Sequence, residues 1–181
     1  MKYLQGNFIQ HILQLHLKIL LDKRSKFVGT KTLFYALKTV QISIKHKHTR
    51  HFIQDHMQTI LFELTIPLML LTQHEFNEWS DNPVEYIRMQ VDQSDSYSIK
   101  TIVRALVNSI CSIKANRKQK ISIYLQQFLE LIAQNMQTAT DFRIKEALMH
   151  ILGNLKEPIE GSVVLKEMME SMLSKFASFE L

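Results

Sequence analysis

Glycine, proline and cysteine are all scarce in this sequence, and each scarcity removes a class of function. Four glycines in 181 residues, none set in G-x-x-x-x-G-K or G-x-G-x-x-G, leave no loop that could cradle a phosphate. Three prolines and the lack of strand-like alternation argue against the α/β and sandwich classes and for helices throughout. The single cysteine, Cys111, excludes an intrachain disulfide framework and fits a reducing compartment. It lies in the apolar run SICSI with no His or Asp placed to activate it, so it reads as a small packed hydrophobe rather than a nucleophile. No uncharged apolar run approaches the roughly 20 residues that a membrane span needs. The nearest, Ile60 to Leu71, is broken by Glu63 and Pro67. The first residues lack a basic start followed by an uncharged apolar run and a small-residue cleavage site, so no secretory signal is expected.

What is present is apolar residue at helical spacing, 46% of the chain by composition, enough for a continuous core. Charge is distributed unevenly. Residues 1–50 hold ten Lys/Arg against one acid, Asp22, whereas residues 51–100 hold two against eight. A basic first third containing Lys18, Lys23, Arg24, Lys26 and Lys31 could attract nucleic acid or an acidic protein, although such runs are more often solvated loops.

The spacing predicts a first helix to about Leu21, carrying Leu4, Phe8, Ile9, Ile12, Leu13, Ile19 and Leu20. Gly29 and Thr30 should close that element and cap a second with Leu33, Phe34, Leu37, Val40 and Ile44 inward. Thr49 should cap a third with Ile53, Met57, Ile60, Leu61, Leu64, Leu68 and Leu71 inward, kinked at Pro67. Ser98 should cap a helix facing inward with Ile99, Ile102, Val103, Leu106 and Ile110. The basic turn KANRKQK leads to one carrying Leu125, Phe128, Leu129 and Ile132. A helix from Thr140 presents Ala147, Leu148, Ile151 and Leu152, and its Gly153 suggests close approach of a neighbouring backbone. After Pro158 and Gly161, Leu165, Met168, Met169 and Met172 recur on a last helix, where packing is the favoured reading over an adaptable peptide groove.

The expected fold is therefore all-α, an α-solenoid of antiparallel HEAT-type helix pairs running through residues 1–181 as one continuous segment. Pairs are expected at about 30–71, 98–136 and 140–180, with a linker over 72–97; the starts at Ser98 and Thr140 lie 42 residues apart, inside the roughly 40–47 residue HEAT period. Neither end reads as a polar capping repeat, so the segment is expected to be a piece of a longer solenoid. Four histidines, His46, His48, His51 and His56, raise metal binding. His51 and His56, five apart on a helix, point about 140° apart, and the spacing matches no zinc pattern, so no metal or other cofactor is expected.

The stretch PLMLLTQHEFNEWSDNPVEYIRMQVD, from Pro67 to Asp92, is the one part that is more than amphipathic helix. Thr72 is a helix N-cap, Trp79 sits in an acidic segment, and Asn82 precedes Pro83 at a helix start. The order Pro67, Leu68, Met69, then Thr72, Glu75 and Trp79, then Pro83, Glu85, Tyr86, Ile87, Arg88, Met89 and Asp92 resembles the middle of the karyopherin-β nuclear transport receptors, most closely their importin-seven and importin-eight branch. The resemblance continues through DFRIKEALMHILGNL to about Glu157 and is faint before Thr30. The chain departs from the family in carrying Asn82 in place of an acid, and Gln73 and Asn77 in place of carboxylates. Its basic first third is also unlike an acidic family.

The resemblance implies a non-enzymatic segment of a receptor for Ran-regulated protein import through the nuclear pore. Its partners would be the Ran GTPase (through the full-length receptor), cargo proteins and nucleoporins. It would shuttle between cytoplasm and nucleus and be found at the nuclear envelope and pore, without membrane insertion or nucleic-acid binding. Because the principal Ran-binding surface of such receptors lies in their first repeats, this segment would supply scaffold and cargo surface. The alternative is a non-transport HEAT scaffold or a nucleic-acid-binding adaptor using the basic N-terminal third. Glu78, Trp79, Asp81, Glu85, Tyr86 and Arg88 are the candidate residues for protein interaction or for anchoring the linker, since Trp, Tyr and Arg dominate interfaces and also staple segments together.

Overall fold

The computed structural model describes residues 2–22, 28–91, 98–114, 122–160 and 162–177, and all regular structure among them is helical. Helix α1 spans Lys2–Leu21 and buries Leu13, Leu17 and Leu20, a stripe at i, i+4 and i+7. Phe8 and Ile9, expected inward, are exposed. Phe8 lies five residues before Leu13, about 140° around the axis, and so faces away from the neighbours that bury Leu13.

Helix α2, Thr30–Lys45, buries a wide band that includes Phe34, Leu37 and Ile44 as well as Ala36, Val40 and Ser43. The width follows from its position, since α1 packs on it and so does α8 (Ile99–Cys111). Its N-cap is Gly29, in extended conformation, and Thr30 is already inside the helix. The preceding DKRSK turn lies mostly outside the described residues.

Thr49 does not cap the third helix. It lies in a single turn, α3 (Lys47–Arg50), where its Oγ1 donates to the carbonyls of Ser43, at 2.7 Å, and His46, at 3.2 Å. Arg50 Nε donates to the Ile44 carbonyl at 2.7 Å. Both side chains satisfy carbonyls that the end of α2 leaves without helical partners.

The next helical run is assembled from a 3-10 turn at Gln54–His56, α4 at Met57–Thr59, a π-helical turn at Ile60–Leu64 and α5 at Thr65–Met69. The distortion expected at Pro67 takes the form of that π turn just before it. Proline has no N–H to give and its ring crowds the carbonyl four residues back, here Glu63; a widened turn accommodates both. The consequence is a shift of register. Leu64 and Leu68, expected inward, are only half-buried, while Thr65 and Met69 are buried in their place. The Thr65 hydroxyl, now inside, donates to the Ile60 carbonyl at 3.2 Å.

Helix α6 (Gln73–Asp81) and helix α7 (Pro83–Val91) occupy the stretch read as a linker. Ser98 caps α8 by accepting the Thr101 N–H at 3.3 Å, and the inward set of α8 is Ile102, Val103, Leu106, Val107, Ile110 and Cys111. Burial pushes the Cys111 thiol up to about 12, which leaves it protonated and unreactive at neutral pH. The KANRKQK turn, apart from Lys114, lies outside the described residues. Helix α9 (Ile123–Thr138) buries Leu125, Phe128, Leu129, Ile132 and Met136.

Helix α10 (Phe142–Asn154) is capped by Asp141 rather than Thr140, the carboxylate accepting the Arg143 N–H at 2.9 Å. Gly153 meets no neighbour: a Cβ built there would find nothing within 4 Å, so the close approach expected from sequence is not its reason. A short α11 (Lys156–Glu160) leads to α12 (Val163–Ala177), where Leu165 and Met172 are buried and Met168 and Met169 pack against the core.

These helices form an all-α solenoid of two layers. In one, α2 packs on α8 and α8 on α10; in the other, the π turn packs on α9 and α9 on α12. The layers meet where α5 touches α8 and α10, and where α9 touches both α8 and α10. A single apolar core runs from Leu13 to Met172 through this seam. Such an arrangement places α6 and α7 outside the two layers, free to present a surface.

Candidate interaction surface

Helix α6 begins with a reciprocal cap. Thr72 Oγ1 accepts the Glu75 N–H at 3.2 Å, and Glu75 Oε2 accepts the Thr72 N–H at 2.7 Å. The other oxygen, Glu75 Oε1, lies 2.7 Å from Lys100 Nζ at the start of α8. The pair is largely shielded, with side-chain exposures of 14% for Lys100 and 22% for Glu75. Burial alone would raise the Glu75 pKa, but the bonds from Lys100 and Thr72 outweigh it and hold the carboxyl below its ordinary value. One acid therefore both starts α6 and ties it to the repeat that follows.

Asn82 forms the elbow between α6 and α7. Its N–H bonds the Glu78 carbonyl at 2.8 Å, closing α6, and its Oδ1 accepts the Glu85 N–H at 3.2 Å, opening α7. Pro83 takes the first helical position, where a missing N–H costs nothing.

The six candidate residues divide between an inner and an outer face. Tyr86 turns inward and is buried. Its hydroxyl faces Glu146 of α10 and lies in the field of Glu75, with Arg104 of α8 as the opposing cation. Burial first, then the carboxylates of Glu146 and Glu75, raise its pKa, so the phenol stays neutral. The Tyr86 hydroxyl, Glu146 Oε2 and Arg104 Nε are all buried without a well-formed hydrogen bond. Around them, His150 Nε2 lies 2.9 Å from Glu146 Oε1 and Asn154 Nδ2 donates to the Arg104 carbonyl at 2.9 Å.

Trp79 is half exposed, at 47%, and its ring stands 6.5 Å from Phe142 at the start of α10 and 6.2 Å from Phe76. Phe76 and Phe142 close the triangle at 5.4 Å. The indole thus meets the third helix pair, at Phe142. Glu78 approaches His74 at 3.5 Å, an ion pair only when the imidazole is protonated. Glu85 and Arg88 pair at 2.8 Å on the exposed side of α7, and Asp81 is exposed. Ile87 does not pack inward: it is 60% exposed, and Val84 is exposed beside it on α7. Tyr86 takes the inward position because α7 enters from Asn82 with that residue toward α8 and α10.

Sequence reasoning missed Phe76, Phe142, Lys100, Arg104 and Glu146. The T-x-x-E capping pattern at Thr72–Glu75 was a local signal for the first bond of this network. No local signal points from Tyr86 to Glu146, sixty residues on. No group of three or more His, Cys, Asp and Glu side chains converges among the described residues. No described helix is long and apolar enough to cross a membrane.

Residues 1–172 match the family described as Cse1. Importin-8 of Danio rerio is 29% identical over 168 residues, covering 91% of this chain and 16% of that protein. The importin beta-like SAD2 homolog of Arabidopsis thaliana is 24% identical over 174 residues, 93% of this chain and 17% of that protein. Importin-8 of Homo sapiens is 25% identical over 163 residues, 90% of this chain and 15% of its own length. The chain thus spans about a sixth of the length of these relatives. The family match begins at residue 1, upstream of Thr30, where the motif resemblance is faint. No solved structure matches the chain.

Proposed function

The chain belongs to the Cse1 family, the karyopherin-β receptors whose importin-8 members it matches over most of its length, and from that premise we propose that it is a segment of a nuclear import receptor. The observation that supports this most is the family match across nearly the whole chain, on a fold of stacked helix pairs that such a receptor requires. The relatives are several times longer, so the segment would act as part of a longer solenoid. Its contribution would be elastic scaffold and cargo surface: in a stacked array each repeat contacts only its neighbours, and pitch changes at small cost per repeat. The receptor would bind cargo, Ran and nucleoporins, and pass between cytoplasm and nucleus through the pore. No enzymatic step is assigned to it, in keeping with a family of transport receptors.

Within the segment, the exposed faces of α6 and α7 are the proposed place for protein contact. Trp79, Glu78, Asp81, Glu85 and Arg88 stand outward there, beside Val84 and Ile87, while Tyr86 and Glu75 anchor the pair of helices from beneath. Permeabilised cells supplied with the full-length parent polypeptide test the transport role. Nuclear accumulation of the labelled receptor, released by GTP-loaded Ran, is expected; exclusion from nuclei with no response to Ran would overturn it.

A further inference from the structure

Between α2 and α8, on the side where α2 ends, lies an open groove of about 710 Å³. Three cations from three different segments line it: Lys45 at the end of α2, Arg50 at the end of α3, and Lys114 just after α8. Among the described residues no carboxylate lines the groove, and none of the ion pairs between them involves these three cations. Elsewhere on the structure cations meet acids, as Lys100 meets Glu75 and Arg88 meets Glu85. Like charges gathered at one concave place repel each other, and a ligand of opposite charge relieves that cost.

The floor is rigid. Gln41 Nε2 of α2 donates to Ser109 Oγ of α8 at 3.1 Å, and Ser109 Oγ donates in turn to the Ala105 carbonyl at 2.8 Å, stitching the two helices together. Arg50 is held in place by its bond to the Ile44 carbonyl.

We propose that this groove is a docking site for an acidic peptide segment of a partner protein. Such a segment carries the carboxylates that Lys45, Arg50 and Lys114 lack. A single inorganic phosphate carries its charge at one centre, whereas a peptide spaces several carboxylates along a groove of this size. Among the described residues no aromatic side chain lines the groove to stack a base, which single-strand binding sites use. The proposal stands on the groove itself and holds whether or not the parent polypeptide is an import receptor.

The test is fluorescence anisotropy on the 181-residue chain with two labelled probes, an alternating Glu-Gly peptide and an oligothymidylate of equal charge. The variant K45E/K114E reverses two exposed groove cations, and K156E/K166E reverses two exposed lysines on α11 and α12. The expected result is peptide binding that falls roughly tenfold or more in K45E/K114E and less than about twofold in K156E/K166E. The neutral variant K45Q/K114Q, which introduces no repulsion and leaves the helix seam untouched, should weaken the peptide in the same direction, with helicity checked by circular dichroism. Equal loss in both charge-reversed variants would reduce the effect to net charge and overturn the proposal. So would absence of peptide binding by the unsubstituted chain, or oligothymidylate binding more tightly than the peptide and lost in K45E/K114E.

Discussion

Glu75 and Lys100 meet at 2.7 Å across the boundary between α6 and α8, with both side chains mostly withdrawn from solvent. The same carboxylate closes the cap on Thr72, so its two oxygens serve two elements. Replacing Glu75 with Gln keeps a side chain that can cap and removes the charge that Lys100 needs. The expected loss is about 1–2 kcal/mol near neutral pH, read from urea unfolding. Because the folded state holds the Glu75 pKa below its ordinary value of 4.5, this stabilisation is full above that pH and fades as pH falls through the folded value. The difference between the unsubstituted chain and Glu75→Gln should therefore shrink in acid. A difference that grows below pH 4.5 would contradict the pairing.

Trp79 and Phe142 test how α6 is held against the third helix pair. Both are about half exposed, so Trp79→Ala should cost about 1–2 kcal/mol, less than the 3–5 kcal/mol typical of a fully buried indole. The double-mutant cycle with Phe142→Ala should show coupling of about 0.5–1.5 kcal/mol. Strict additivity of the two substitutions would mean that the rings do not support each other. If Trp79 also contacts a partner, partner binding should fall further than this loss of stability accounts for.

Gly153 sits in an exposed position of α10 with open space where a Cβ would go. Gly153→Ala should raise stability by about 0.5–1 kcal/mol, since alanine loses less backbone entropy on folding into a helix. A lowered unfolding midpoint would reveal a backbone contact at this position.

GTP-loaded Ran should bind the isolated 181-residue chain weakly or not at all. The expectation follows from the proposed place of the segment in the middle of a longer receptor, away from its first repeats. Nanomolar affinity in calorimetry would show that the segment has been placed wrongly along its parent.

Several local features were legible because their causes are local. Ser98 and Thr72 are N-caps as expected, and Ile102, Val103, Leu106 and Ile110 of α8 face inward at the expected spacing. These depend on hydrogen bonds three residues apart and on a regular 3.6-residue period. Where the period breaks, spacing fails: the π turn at Ile60–Leu64 moved the inward stripe from Leu64 and Leu68 to Thr65 and Met69.

By itself the sequence determined that this chain is helical, that its helices are amphipathic, where several of them begin, and which receptors it resembles. Tertiary structure alone decided that Tyr86 rather than Ile87 turns inward, that Trp79 meets Phe142, that Glu75 finds Lys100, and that Lys45, Arg50 and Lys114 share a groove. Each of these joins residues from separate helices, and their meeting depends on how whole helices stack. Caps and periodicity act within about one turn of chain, whereas the rotation and offset of one helix on another are set by the summed packing of both faces.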